Sequence, residues 1–120
     1  MQKSLLIVAH GSRLEASNEE VRKLALHIAN MNHGFSEIKA AFLEIADPLI
    51  PEGIRSLIRN GAKEIIVYPY FLSAGRHVTM DIPKDVEHVQ LEYPNIKITV
   101  SDYLGKSKDI SNIILSQAVL

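Results

Sequence analysis

Four short apolar runs, each followed by a stretch of helical periodicity, constrain this chain more than any other feature. Leu5–Ala9 is apolar without interruption, as a strand covered on both faces has to be. Ser17-Asn18-Glu19-Glu20 offers a capping box, after which Val21, Leu24, Ala25 and Ile28 recur at the spacing of one helix face. Gly34 is the predicted terminator of that helix. A second strand is predicted over Ile38–Leu43. A second helix then starts at Asp47-Pro48 or at Ile50-Pro51, carries Ile50, Ile54, Leu57 and Ile58, and ends near Gly61. Glu64–Tyr70 reads as the third strand, and a third helix runs from near Ile82-Pro83 through Val86 and Val89 to Pro94. Ile96, Ile98 and Val100 alternate with other residues, which predicts a half-buried edge strand. Ile110, Ile113, Ile114 and Ala118 mark a last helix after Gly105. Strand and helix in regular alternation predict an α/β fold: a four-stranded parallel sheet with helices on both faces, in a single domain over residues 1–120. A sheet this small has two open edges, which favours association with another subunit.

Composition removes whole classes of function. Lysine plus arginine is 13 against 14 for aspartate plus glutamate, a net charge of −1, so a nucleic-acid binder working by bulk charge is excluded. There is no cysteine, which excludes disulfide frameworks, zinc–thiolate sites, iron–sulfur clusters and cysteine nucleophiles. Any metal must be met by histidine, carboxylate or water. The apolar run at Leu5–Ala9 is shorter than the ~7–15 residues of a signal peptide's hydrophobic region. Ile65–Leu72 contains Pro69 and falls far short of the ~20 residues a membrane span needs. The expectation is a soluble cytoplasmic protein with no nucleic-acid or membrane partner.

In open α/β sheets ligands bind beyond the carboxyl ends of the strands, near the point where strand order reverses. That rule selects His10-Gly11-Ser12-Arg13 after the first strand, Glu44 after the second and Ser73-Ala74-Gly75-Arg76-His77 after the third. If the strand order is 2-1-3-4, His10 is central with Glu44 and His77 on its two sides. Strands lie ~4.8 Å apart, so the three side chains are close enough to converge on one ion. Two imidazoles and a carboxylate suit borderline divalent first-row metals and leave coordination positions open. Arg13 and Arg76 flank the two histidines, and two guanidinium groups at one mouth suit a polycarboxylate. Gly11 and Ser12 also permit a phosphate cradle at a helix start, although neither GxGxxG nor GxxxxGK[ST] is present. His27, His33 and His88 read as structural or solvent-facing, and Tyr68, Tyr70 and Phe71 as core more than as a stacking wall for a planar ligand.

The segments VAHGSR (8–13), AFLEIADPLIPEGI (41–54), GAKEIIVYPYFLSAGRHVTMDIP (61–83) and DYLG (102–105) resemble the sirohydrochlorin chelatases of the CbiX/SirB type. The resemblance runs in order over nearly the whole chain. It implies a class II, ATP-independent chelatase with a chelatase-like α/β fold, which inserts Co²⁺ (or Fe²⁺ or Ni²⁺) into sirohydrochlorin for cobalamin or sirohaem synthesis. The metal is then a substrate, and no prosthetic group is implied. His10 of HGSR and His77 of GRH match the family's metal-binding, proton-accepting histidines, and Glu44 of FLE the acidic residue associated with them. Arg13, Arg76 and Ser12 are the implied contacts to the tetrapyrrole, whose eight carboxylates give the arginines a role. Some members carry two such domains in one chain; this one resembles the small form, half of a bilobal enzyme, which works as a homodimer. The chain departs from the pattern at Lys106–Lys108, where a His-Pro-like continuation is expected. A non-catalytic metal or tetrapyrrole carrier or sensor on the same half-fold is the alternative function.

Overall fold

A computed structural model describes residues 2–119. Its elements in chain order are β1 (Lys3–Ala9), α1 (Glu15–Ala29), β2 (Glu37–Phe42), α2 (Ile50–Arg59), β3 (Glu64–Pro69), α3 (Ile82–Glu92), β4 (Lys97–Val100) and α4 (Asp109–Gln117). The four strands form one parallel sheet in the order β2-β1-β3-β4. Strand β1 lies centrally, with Val8 opposite Ala41 on one side and Pro69 on the other. Strand β4 is an edge, and its Lys97 and Thr99 are exposed while Ile98 and Val100 are half-buried, the alternation the sequence predicts.

Alternate residues of the strands point to opposite faces. Leu6, Val8, Ala41, Ile65 and Val67 face Ile50, Ile54 and Leu57 of α2 and Ile82, Val86 and Val89 of α3, forming the main core. On the other face Ala9 and Phe42 pack against Val21 of α1 and Ala46. Beside that smaller cluster, Leu5, Ile7 and Tyr68 look into an open groove of about 320 Å³ bounded by Leu24 and Ile28 of α1. Helix α4 forms where the sequence places it but buries none of its residues. Among the described residues, no helix is long and apolar enough to cross a membrane.

Two local expectations are corrected, and one alternative is decided. The capping box at Ser17–Glu20 does not start α1, because Ser17 lies inside the first turn and donates its amide to Leu14. The β1–α1 loop sets the start instead: Ser12 Oγ accepts the Leu14 amide at 3.0 Å, and the buried Asn18 side chain bonds both the amide and the carbonyl of Ser12 at 2.8 Å. Nor does Gly34 end the helix. Asn30 caps it, and His33 donates from Nε2 to the Ala29 carbonyl at 3.1 Å while its Nδ1 accepts the Phe35 amide, so Gly34 falls in the following loop. Of the two candidate starts for α2, Pro51 stands in the first turn, where its missing N–H costs nothing, and Pro48 lies before the helix.

A wide π-type turn over His77–Asp81 runs directly into α3. It brings Asp81 one turn above the half-buried Asp85, whose carboxyl is raised from its ordinary range first by burial and then by the Asp81 charge. A carboxyl raised in the folded state binds protons more tightly there than in the unfolded chain, so ionising it lowers stability as pH rises through the carboxyl range. Asp85→Asn is therefore expected to raise Tm at neutral pH, with the gain closing below about pH 4. Thermal melts of both proteins across that range check it, and a variant less stable than its parent at pH 7 contradicts it.

Candidate functional site

The site sits at the carboxyl edge of β1, β2 and β3, and the backbone ladder itself carries two of its residues there. Beyond the end of β2, Leu43 donates to Ala9 at 3.0 Å and Glu44 to His10 at 3.1 Å. On the other side, Tyr70 donates to Val8 at 2.8 Å and extends the pairing of β3. His10 and Glu44 are thus placed side by side by main-chain bonds before any side chain acts.

Gly11 makes this approach possible. Its φ is +96°, and a Cβ built there would stand 1.8 Å from the Glu44 carbonyl oxygen, so only glycine fits. The same carbonyl accepts the Ala46 amide at 2.8 Å across a tight turn whose middle residue, Ile45, has φ +72°. A β-branched residue in that region costs on the order of 1–3 kcal/mol, and such strain collects at ligand sites. Arg22 of α1 steadies the loop by donating to the Asp47 carbonyl at 2.8 Å, with its guanidinium 5.2 Å from the centre of the Phe42 ring.

On this frame the imidazole Nε2 of His10 donates to Glu44 Oε1 at 2.9 Å. The rings of His10 and His77 are 4.5 Å apart between centroids, tilted by 33°. His77 in turn donates from Nδ1 to Asp81 Oδ2 at 2.8 Å. The four side chains are between 41% and 55% exposed, so the cluster is open to an incoming ligand. Asp81 was not among the residues selected from sequence. Its signal is the i, i+4 spacing to His77, which faces the two residues to each other only once the segment ahead of Ile82-Pro83 is helical.

The predicted trio is brought together, but as a chain of pairs rather than a cage. Among the described residues, no three histidine or acidic side chains are arranged to surround one ion. Each imidazole spends one nitrogen on its own carboxylate, which leaves one nitrogen of each ring for any other partner. Carboxylate–imidazole pairs of this kind fix the tautomer and the orientation of the ring. Nε2 of His77 is the atom left by its Asp81 bond. Such an arrangement suits transient binding of a cation or acceptance of a proton, not permanent retention of a metal.

Arg13 and Arg76 are both exposed and form no ion pair among the described residues, which leaves two cations beside the cluster for an anionic ligand. Ser12 also has a structural part: its hydroxyl oxygen accepts the Leu14 amide, its own amide donates to Asn18 Oδ1, and its O–H remains a donor for a ligand. These bonds occupy the Ser12 and Leu14 amides, two of the donors on which a phosphate cradle at this helix start would draw. His27 and His88 are exposed, and His33 caps α1, as the sequence reading expects. Phe71 packs on the main core, whereas Tyr70 is partly exposed and Tyr68 lines the groove.

Gly11→Ala is expected to cost more than about 1 kcal/mol in urea unfolding, since alanine at positive φ adds strain to the steric conflict. It should also separate Glu44 from His10, read as a shift of the His10 ring signals by NMR. Parental stability with unchanged ring signals contradicts the close approach.

Comparison with known proteins identifies the family and the overall fold. The CbiX family profile matches residues 4–119. A sirohydrochlorin cobaltochelatase of Methanocaldococcus jannaschii is 42% identical over 81 residues, covering 68% of this chain and 56% of that protein. One from Sulfurisphaera tokodaii is 32% identical over 111 residues, covering 92% and 86%. The sirohydrochlorin chelatase SirB of Bacillus subtilis subspecies spizizenii, solved in complex with cobalt, superposes with a TM-score of 0.85 at 25% identity, over 98% of this chain and 50% of SirB. The chain thus spans little more than half of the M. jannaschii relative and half of SirB. With the family profile matched over residues 4–119, nearly the whole chain, and relatives 32% and more identical, the chain belongs to the CbiX family.

Proposed function

We propose that this chain is an ATP-independent sirohydrochlorin chelatase that inserts a divalent metal ion, Co²⁺ in the first instance, into its tetrapyrrole substrate. The observation that carries the reading is the close, tilted His10–His77 pair, each imidazole backed by a carboxylate, at the open edge of the sheet. Cobalt is placed first because more of the similar proteins are named cobaltochelatases than ferrochelatases, although the same donors accept iron and nickel. Because the chain matches half of SirB, a second copy is proposed to supply the other half of the working enzyme.

Insertion of M²⁺ into the macrocycle releases two pyrrole protons. The enzyme must therefore offer bases, present a partly desolvated ion and then let it go. Neutral His10 or His77 serves either as a ligand or as a proton acceptor, and Glu44 and Asp81 balance the positive charge that either event places on an imidazole. A closed coordination shell would hold the ion against transfer, so the paired, incomplete donor set fits the task. The substrate's peripheral carboxylates stay ionised throughout and meet Arg13 and Arg76, whose planar forks match carboxylates bidentately.

His10→Ala and His77→Ala are each expected to lower the rate of metal insertion by about 10²–10⁴-fold while leaving circular dichroism and Tm close to the parent, since both residues lie outside the core. Enzyme-dependent insertion near the parental rate in either variant overturns the assignment. Arg13→Ala and Arg76→Ala should instead raise KM for sirohydrochlorin with kcat within a few fold, because contacts to carboxylates that do not react are equally strong in ground and transition states. The KM effect should shrink with added salt. Unchanged KM in the double variant at low ionic strength shows the arginines to be bystanders.

A further inference from the structure

Ile45 holds a backbone conformation that its residue type disfavours. The Ala46 amide donates to the Glu44 carbonyl at 2.8 Å, and Ile45 between them has φ +72°. A bond from one residue to the next but one, closed around a positive φ, is the γ-turn of the rarer and strained hand. Glycine takes positive φ readily, with asparagine and aspartate the common exceptions. Isoleucine is among the least suited, because its branched Cβ crowds the flanking backbone. Among the described residues, no other residue apart from glycine has positive φ.

The side chain does not stabilise the core in exchange. Ile45 is 58% exposed and packs against neither apolar cluster, although Leu43 before it and Ala46 after it both do. One residue, directly beside Glu44, thus carries both backbone strain and uncovered apolar surface. A smaller or more polar residue would lower both costs at once. Strain of this kind persists where a ligand has a use for it.

The other two loops of the site repeat the exposure without the strain. Leu14 follows His10, Leu72 and Met80 stand on either side of His77, and all three are more than half exposed. Every loop that brings a polar donor to the sheet edge therefore also brings a large apolar side chain without cover. The ligand that suits this mixture has a broad apolar body, an ionised rim and a centre that takes a cation. Arg13 and Arg76 answer the rim and the histidines the centre, which leaves the body to the apolar residues.

We infer that Ile45 is a substrate-contact residue, its side chain kept out of the core to meet the apolar face of the tetrapyrrole beside the entering metal ion. The contact rests on the chelatase reading above and adds to it the residue that recognises the body of the macrocycle. Ile45 follows Glu44 directly, and Glu44 Oε1 lies 2.9 Å from the His10 imidazole. A macrocycle centred on the histidines therefore reaches the adjoining side chain. The hydrogen-bonded turn sets the position of that side chain before substrate arrives, which spares ordering entropy on binding. The carbon framework of the ring keeps its bonds during insertion, so the contact is equally strong in ground and transition states and acts on KM.

Three variants at this one position separate contact from support. Ile45→Ala and Ile45→Gly each remove the apolar contact. Each should raise Kd, titrated by sirohydrochlorin absorbance without metal, and KM, measured with Co²⁺, by about tenfold, the effect of uncovering much of an aliphatic side chain. Ile45→Leu keeps the bulk without the branch and should recover most of the binding that alanine loses. Ile45→Gly also relieves the turn and should raise Tm by about 2–5 °C, so that stability rises where binding falls. A glycine variant that melts below its parent shows that the fold itself uses Ile45, and overturns the inference. So does a loss confined to kcat at constant KM, which makes Ile45 a support for Glu44. A parent that inserts metal, with Kd and KM unchanged in Ile45→Ala, counts against the contact alone. A parent that inserts no metal, yet binds sirohydrochlorin less tightly once Ile45 is alanine, counts against the chelatase reading alone.

Discussion

The approach of Gly11 to the carbonyl of Glu44 is the contact on which the site depends. Main-chain bonds running past the ends of β1 and β2 bring the two loops together, and the missing Cβ of Gly11 lets them meet. The consequences follow in order. Glu44 is held beside His10, Ile45 is forced into a left-handed conformation, and the His10 ring is turned so that it stands against His77. The sheet thereby delivers three loops to one edge, and the loops, more than the core, decide what chemistry the edge can do.

Incomplete coordination distinguishes this edge from a structural metal site. His10 with Glu44 and His77 with Asp81 are two half-sites, each with an oriented imidazole and an ionisable oxygen, both open to solvent. A cation arriving there finds donors that have to give up existing hydrogen bonds, which limits how tightly it is held. A protein that must transfer an ion needs that limit as much as it needs the donors.

Much of the fold is legible in the sequence because parallel strands buried on both faces leave uninterrupted apolar runs, and helices leave a repeating apolar stripe. Three of the site residues were legible for a related reason: strand ends in an α/β sheet are where function collects, and His10, Glu44 and His77 each follow one. What escaped depends on contacts between segments distant in the chain. The Asn18 clamp on Ser12 replaced the capping box at Ser17, since the loop geometry after β1 fixes where α1 begins. Asp81 escaped because its pairing with His77 needs the π-type turn, for which His-Val-Thr-Met-Asp carries no periodic signal. The apolar stripe of α4 was read correctly as a helix, but periodicity says only that a face wants cover and not which molecule provides it.

The most direct measurement is the rate of metal insertion by the unmodified chain. Sirohydrochlorin with Co²⁺ at neutral pH changes its absorbance as the ion enters the ring, with and without protein, and Fe²⁺ and Ni²⁺ serve as comparisons. The predicted result is multiple turnovers per chain, saturating in sirohydrochlorin, at a rate well above the spontaneous reaction. Tight binding of Co²⁺ or of the tetrapyrrole with no acceleration of insertion would contradict it, and would make the histidine cluster the site of a carrier.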